Sequence, residues 1–222
     1  MLSEEIRIRY LKGERAMRML KDLIKGAPVH ERRLELRTYP LDNDQLVVEG
    51  WLKDDRLIQG YHWNGKPREP GAVHRMCVRM LIGGWPVTIL DAEAEMPQTP
   101  HELCPSTLDS VKKIVGLQIV SGYGEKVSHL IGGVRGCNHL THLIVVMGTA
   151  ALHGYWTHHS RNRRPIPRSL DEFVGLSSLI NSCMLWGEDG PIMEEIRAVL
   201  AGNPGPGDLD QRPSAVERGS EP

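Results

Sequence analysis

The sequence predicts an α+β fold: a short, mostly antiparallel sheet of about four strands, followed by helices packed on one of its faces. Apolar side chains between residues 33 and 94 recur with the period of two that belongs to strands. After Pro97 the recurrence lengthens to that of helices. The links between the strands are too short for crossover helices, which makes the pairing antiparallel.

The elements follow in order. Residues 3–25 place Ile6, Tyr10, Met17, Leu20, Leu23 and Ile24 among charges, the spacing of an amphipathic helix broken near Gly13 and ended by Gly26-Ala27-Pro28. Residues 33–39 alternate strictly, and residues 46–52 form their partner across Asp42-Asn43-Asp44. Residues 60–71, rich in Gly, Pro and Asn, predict a loop. Strands are expected at residues 74–82 and 87–94 around the turn Gly83-Gly84-Trp85-Pro86; in the first, Met76, Val78 and Met80 share one face and Arg75, Cys77 and Arg79 the other. Helices are expected at residues 106–115, 124–131, 138–155, 170–185 and 191–200. Start signals are Pro105-Ser106, Ser169 with Glu172, and Asp189-Gly190-Pro191. Residues 157–168 form a basic linker. The domain reading is a helical extension over residues 1–28, a single α+β domain over 29–201 and a disordered tail over 202–222, where Gly, Pro and charge replace any apolar period.

Composition narrows the function classes. A chain of 222 residues with 40% hydrophobic and 25% charged residues is an ordinary globular composition, and with a single Phe the core must be aliphatic and Met-rich. A formal net charge of −1 removes the electrostatic reason to expect a nucleic-acid or anionic-membrane partner. Met1-Leu2-Ser3-Glu4-Glu5 is not the start of a secretory signal, and the longest apolar stretch, residues 140–152, is interrupted by Thr141, His142, Gly148 and Thr149. The four cysteines, Cys77, Cys104, Cys137 and Cys183, contain no CxxC pair and read as thiols or metal ligands rather than disulfides. The expected location is the cytoplasm, and the expected partners are a small-molecule substrate and a second copy in a homo-oligomer.

Chemistry concentrates at Gly132-Gly133-Val134-Arg135-Gly136-Cys137-Asn138-His139-Leu140-Thr141-His142. Three glycines lead into a long helix, and Cys137 falls at its start, where unpaired N–H groups and the helix dipole favour a thiolate. A small buried cap residue is the other reading of Cys137. At 100° per residue His139, His142, Val146, Thr149 and His153 share one side of the helix, while a helical Cys137 would face the opposite side. A site using both Cys137 and His139 therefore needs Cys137 to precede the first turn. Cys137, His139 and His142 are the candidate catalytic residues; for His142, and more so for His153, a solvated helix face is the competing reading. Cys104, Cys137, His139 and Cys183 are the candidate ligands of Zn or Fe, since thiolates and imidazole select those metals. Cys77 reads as structural, Asp91 with Glu93 as a solvated strand face, and Arg161, Arg163 and Arg164 as part of the linker. No Walker, Rossmann, GxSxG or HExxH motif appears, so no nucleotide cofactor is expected.

Across residues 34–194 the order resembles the DUF2889 family of bacterial proteins. The matching pieces are residues 39–54, Val73-His74-Arg75-Met76, Asp91-Ala92-Glu93-Ala94, Cys104-Pro105, Val115-Gly116-Leu117, residues 132–141, and Asn181-Ser182-Cys183 with Asp189-Gly190. The family pattern carries an acidic residue where this chain has His142, so a carboxylate role at that position does not transfer. The layout is also similar to the iron–sulfur scaffold proteins related to NifU and IscU and to SufE-like folds, with Cys104 before one helix and Cys137 and His139 opening a later one. That likeness implies a fold and not an activity.

The sequence thus supports an enzyme acting on an acyl or aromatic small molecule, as a lyase or hydrolase. Cys137 would act as a thiol nucleophile with His139 as base, or Zn or Fe would be held by Cys137, His139 and Cys104 or Cys183. The alternative is a non-enzymatic carrier of metal, an iron–sulfur cluster or sulfur.

Overall fold

The structure, a computed structural model, describes residues 19–162, 167–173 and 175–202. Most of the expected N-terminal helix and the expected tail, with Arg163 and Arg164 of the linker, lie outside the described residues. Of the former, Leu20–Leu23 forms one 3₁₀ turn with no buried side chain.

Strands β1 (His30–Pro40), β2 (Leu46–Arg56), β5 (Gly71–Gly83) and β6 (Thr88–Gln98) form one antiparallel sheet in the order β1-β2-β5-β6. Each strand pairs with the next in the sheet, as short connections require. Residues 60–71 are not simply a loop. They hold a small separate hairpin, β3 (Gly60–Tyr61) with β4 (Pro67–Arg68), turned by residues 62–66 through a His62 carbonyl that accepts the N–H of Gly65.

The helical half begins with a 3₁₀ helix, Cys104–Ile114, where an α-helix was expected. Helices α1 (Tyr123–Ile131) and α2 (Asn138–His159) follow, then α3 (Leu176–Leu179) and α4 (Pro191–Gly202). The single helix expected over residues 170–185 is broken into the 3₁₀ turns Leu170–Glu172 and Met184–Trp186 around the one-turn α3. The reason is local: Gly175 (φ +93) and Asn181 (φ +61) are both left-handed, and a helix cannot pass through such residues. Among the described residues no helix is long and apolar enough to cross a membrane.

Strand register explains the core. Successive cross-strand rows on one face of the sheet read Leu46 with Ile82, Val48 with Met80, Gly50 with Val78, and Leu52 with Met76, and every non-glycine side chain among them is buried. Helix α2 lies across this face and contributes Leu140, Leu143, Ile144, Met147 and Ala151, with α1 packed beside it. Burying each such aliphatic side chain contributes roughly 1.5–3 kcal/mol. The helix comes close because residue 50 is glycine: a Cβ there would stand 2.6 Å from the Met147 sulfur. The opposite face is charged. Arg79 pairs with Glu49 at 2.9 Å and Glu95 at 2.8 Å, and Lys53 with Glu35 at 2.7 Å. Cys77 is fully buried on that face, and burial pushes its thiol up to about 12, which makes it inert.

Candidate metal centre

The row after Leu52 and Met76 breaks the apolar pattern. Asp54 pairs with Arg32 on one side and His74 on the other, so Arg32, Asp54 and His74 continue the helix-facing side of the sheet with polar groups. Asp54 is 2% exposed and His74 8%. Placing a carboxylate there is costly unless it is paired and hydrogen-bonded, and it is both. Arg32 donates to it through Nε at 2.6 Å and Nη2 at 2.7 Å, the two-pronged geometry of the guanidinium fork. His74 Nδ1 lies 2.9 Å from Oδ2 and His30 Nε2 3.5 Å from Oδ1. Burial alone would push the Asp54 carboxyl up, but the Arg32 hydrogen bonds and charge, with His74, outweigh it and hold it at about 2. An ionised carboxylate only accepts, so Nδ1 of His74 carries the proton in this contact.

Helix α2 brings the second half of the site. Its N-terminus is fixed by buried Thr141, whose hydroxyl lies 2.9 Å from the Cys137 carbonyl and 3.1 Å from that of Ile131. Gly136 makes the bend possible: a Cβ there would come 2.6 Å from the Ile131 carbonyl oxygen and 2.8 Å from the Ser110 hydroxyl. Cys137 is the N-cap with extended backbone (φ −103, ψ 125), so it does precede the first helical turn. Its sulfur lies 3.9 Å from His139 Nδ1. It also packs against the edge of the core, so neither expectation for it excludes the other.

His139 reaches back over the sheet. Its ring stacks on that of His74 with centroids 4.0 Å apart at 36°, and its Nε2 lies 4.0 Å from Asp54 Oδ2. Burial, then the neighbouring His74 and Arg32, hold its pKa below the ordinary imidazole value, so the neutral form with a free lone pair is favoured near pH 7. Ligand-type atoms of Asp54, His74 and His139 all lie within 4.8 Å of one another. Two imidazoles and a carboxylate are a donor set for Zn, Fe or a similar divalent ion. An ion held by both Asp54 and His74 would take His74 through Nδ1, in place of the proton now donated to the carboxylate, because Nε2 points away from Asp54.

The expected ligand set is therefore not the gathered one. Among the described residues, the ligand-type group that closes contains His139 but none of Cys104, Cys137 or Cys183. Cys104 is half-buried at the head of the 3₁₀ helix, and Cys183 is exposed ahead of the turn Met184–Trp186. Their positions on separate connections explain why sequence could not join them. His142 is exposed one turn beyond His139, and His153 is exposed with its ring edge-on to Trp156 at 6.0 Å. Asp91 pairs with Lys112 at 2.9 Å and Glu93 with Arg79 at 3.4 Å, both on the surface. Arg161 donates to the His158 carbonyl at 3.0 Å.

Sequence reasoning passed over Asp54, His74, Arg32 and His30, yet a signal existed. His74 has the parity of Met76, Val78 and Met80, and Asp54 that of Leu46, Val48 and Leu52. A polar residue continuing a buried face needs a partner there.

Comparison with known proteins adds one match. No curated protein and no solved structure matches the chain. The family model described as protein of unknown function (DUF2889) matches residues 30–153, more than half of the chain and a span containing Asp54, His74, Cys137 and His139. The chain belongs to the DUF2889 family.

Proposed function

We propose that this protein is a metal-dependent enzyme acting on a small carbonyl-bearing substrate, with Asp54, His74 and His139 holding one Zn or Fe ion. The observation that supports it is the meeting of these three side chains, from β2, β5 and α2, at the end of an otherwise apolar face. A divalent ion in such a set polarises a carbonyl or activates water. The chain's own residues do the rest. Arg32 neutralises and orients the Asp54 carboxylate, His30 lies beside it, and the ion would replace the proton that His74 Nδ1 now donates to Asp54. Cys137 stands, partly exposed, beside His139. Loading requires Asp54 to release one of the two oxygens that Arg32 now holds.

A second reading has its own support: Cys137 as nucleophile and His139 as base, with Asp54 at the other ring nitrogen. Of the carrier readings the iron–sulfur one has less, because a cluster needs several thiolates at one point and the gathered group has none; a metal carrier would use the same three ligands and a sulfur carrier one thiol such as Cys137.

Cobalt substitution separates them. Co(II) should enter with visible d–d bands that disappear in His74→Asn and His139→Asn. A sulfur-to-cobalt charge-transfer band would add Cys137 to the ligands. Absence of any bound cobalt in the folded wild-type protein would leave the thiol mechanism and reject the metal.

A further inference from the structure

Beside the Gly132–Gly136 bend lies a groove of about 370 Å³, lined by Ser106, Thr107, Ser110, Lys113, Arg135 and Gly136 among others. Three features of it are otherwise unexplained. The Ser110 hydroxyl is buried, its residue 8% exposed, and among the described residues it has no hydrogen-bond partner. A buried polar atom left this way costs about 1–3 kcal/mol. Lys113 and Arg135 reach only backbone carbonyls, of Arg135 at 3.5 Å and Ser128 at 3.2 Å, and neither cation lies within 4.0 Å of a carboxylate among the described residues, Asp109 on the same rim included. Residue 136 also has no Cβ, which would stand 2.8 Å from the Ser110 hydroxyl and fill the space above it.

We infer that this groove is an oxyanion subsite, binding a carboxylate or phosphate group of a small molecule through Lys113, Arg135 and the Ser110 hydroxyl. Two uncompensated cations supply the charge and the unpartnered hydroxyl supplies a directed donor. Gly136 is covalently joined to Cys137, so the groove borders the bend that leads into Cys137 and His139. In that respect the inference deepens the proposed function, making the substrate an acid or a phosphate ester.

The test is calorimetric titration of the full chain, treated with chelator so that its outcome is independent of the metal proposal, using inorganic phosphate and, separately, succinate. Saturable binding of at least one probe is expected, weakened about fivefold or more, the worth of one hydrogen bond or charge contact, in Lys113→Gln and in Ser110→Ala. Saturation by phosphate alone assigns phosphate esters, and by succinate alone carboxylates. Lys113 is exposed and Ser110→Ala removes an unpaired buried hydroxyl, so the first variant should keep the wild-type melting temperature and the second should keep or raise it. No saturation by either probe, or binding unchanged in both variants, overturns the inference.

Discussion

Asp54 and His74 stand directly opposite each other in the β2–β5 ladder, and the Asp54 carboxylate accepts the Nδ1–H of His74 at 2.9 Å. That bond turns a strand pair into a piece of chemistry. It holds the His74 ring, on which that of His139 stacks, and sits on a carboxylate that Arg32 keeps ionised.

Removing the Asp54 charge should weaken the fold. Asp54→Asn leaves Arg32 without its fork partner beneath the helix, and breaking a buried ion pair typically costs 3–5 kcal/mol. The Arg32 side chain is 35% exposed, so water compensates part of the loss and about 2–3 kcal/mol is expected. Urea unfolding should show a lower midpoint with an unchanged slope.

The same pair sets an acid limit. The Asp54 pKa is lower in the folded chain (about 2) than in the unfolded one (about 3.9), so the unfolded state binds more protons between those values. Its contribution is fully present above about pH 4–5 and disappears as pH falls through about 2. His139 adds an earlier component of the same sign: its folded pKa is depressed, so stability begins to fall as pH drops below about 6.5. Unfolding free energy measured against pH should flatten below pH 4 in Asp54→Asn and between pH 7 and 5 in His139→Asn.

Thiol accessibility divides the four cysteines. Cys183 is exposed, Cys104 and Cys137 are partly exposed, and Cys77 is fully buried with a thiol that burial pushes up to about 12. Iodoacetamide followed by peptide mass mapping should leave Cys77 unlabelled in native protein and label it after unfolding. Added Zn should slow labelling at Cys137 and leave Cys183 unaffected.

The bend before α2 has no room for a side chain. Gly136→Ala would press a methyl group against the Ile131 carbonyl, a backbone atom that cannot swing aside, and against Ser110. Overpacking of this kind costs about 1–3 kcal/mol. The thermal midpoint should fall, and Cys137 labelling should change because the cap carrying its sulfur is displaced.

The sheet was legible because period-two alternation and short connections leave few alternative pairings. The small hairpin β3–β4 was not, since two-residue strands carry no period. The one-helix reading of residues 170–185 failed at Gly175 and Asn181, whose left-handed backbones outweigh the surrounding helix formers. At the site, Cys137 and His139 were visible because their partnership is local, set by a glycine-rich bend and a helix start. Asp54 and His74 lie 20 residues apart and become neighbours only through strand register. Cys104 and Cys183 were drawn in by ligand type and, for Cys104, by its place before a helix, neither of which carries information about distance.

The metal content of protein purified without added metal is the most direct test of the Asp54–His74–His139 centre. Near-stoichiometric Zn or Fe is expected in the wild type and in Cys104→Ser and Cys183→Ser, falling to background in folded His74→Asn and His139→Asn. A metal-free wild type that also takes up none from excess Zn, or metal that leaves with Cys104 or Cys183 and stays when either histidine is replaced, would contradict it.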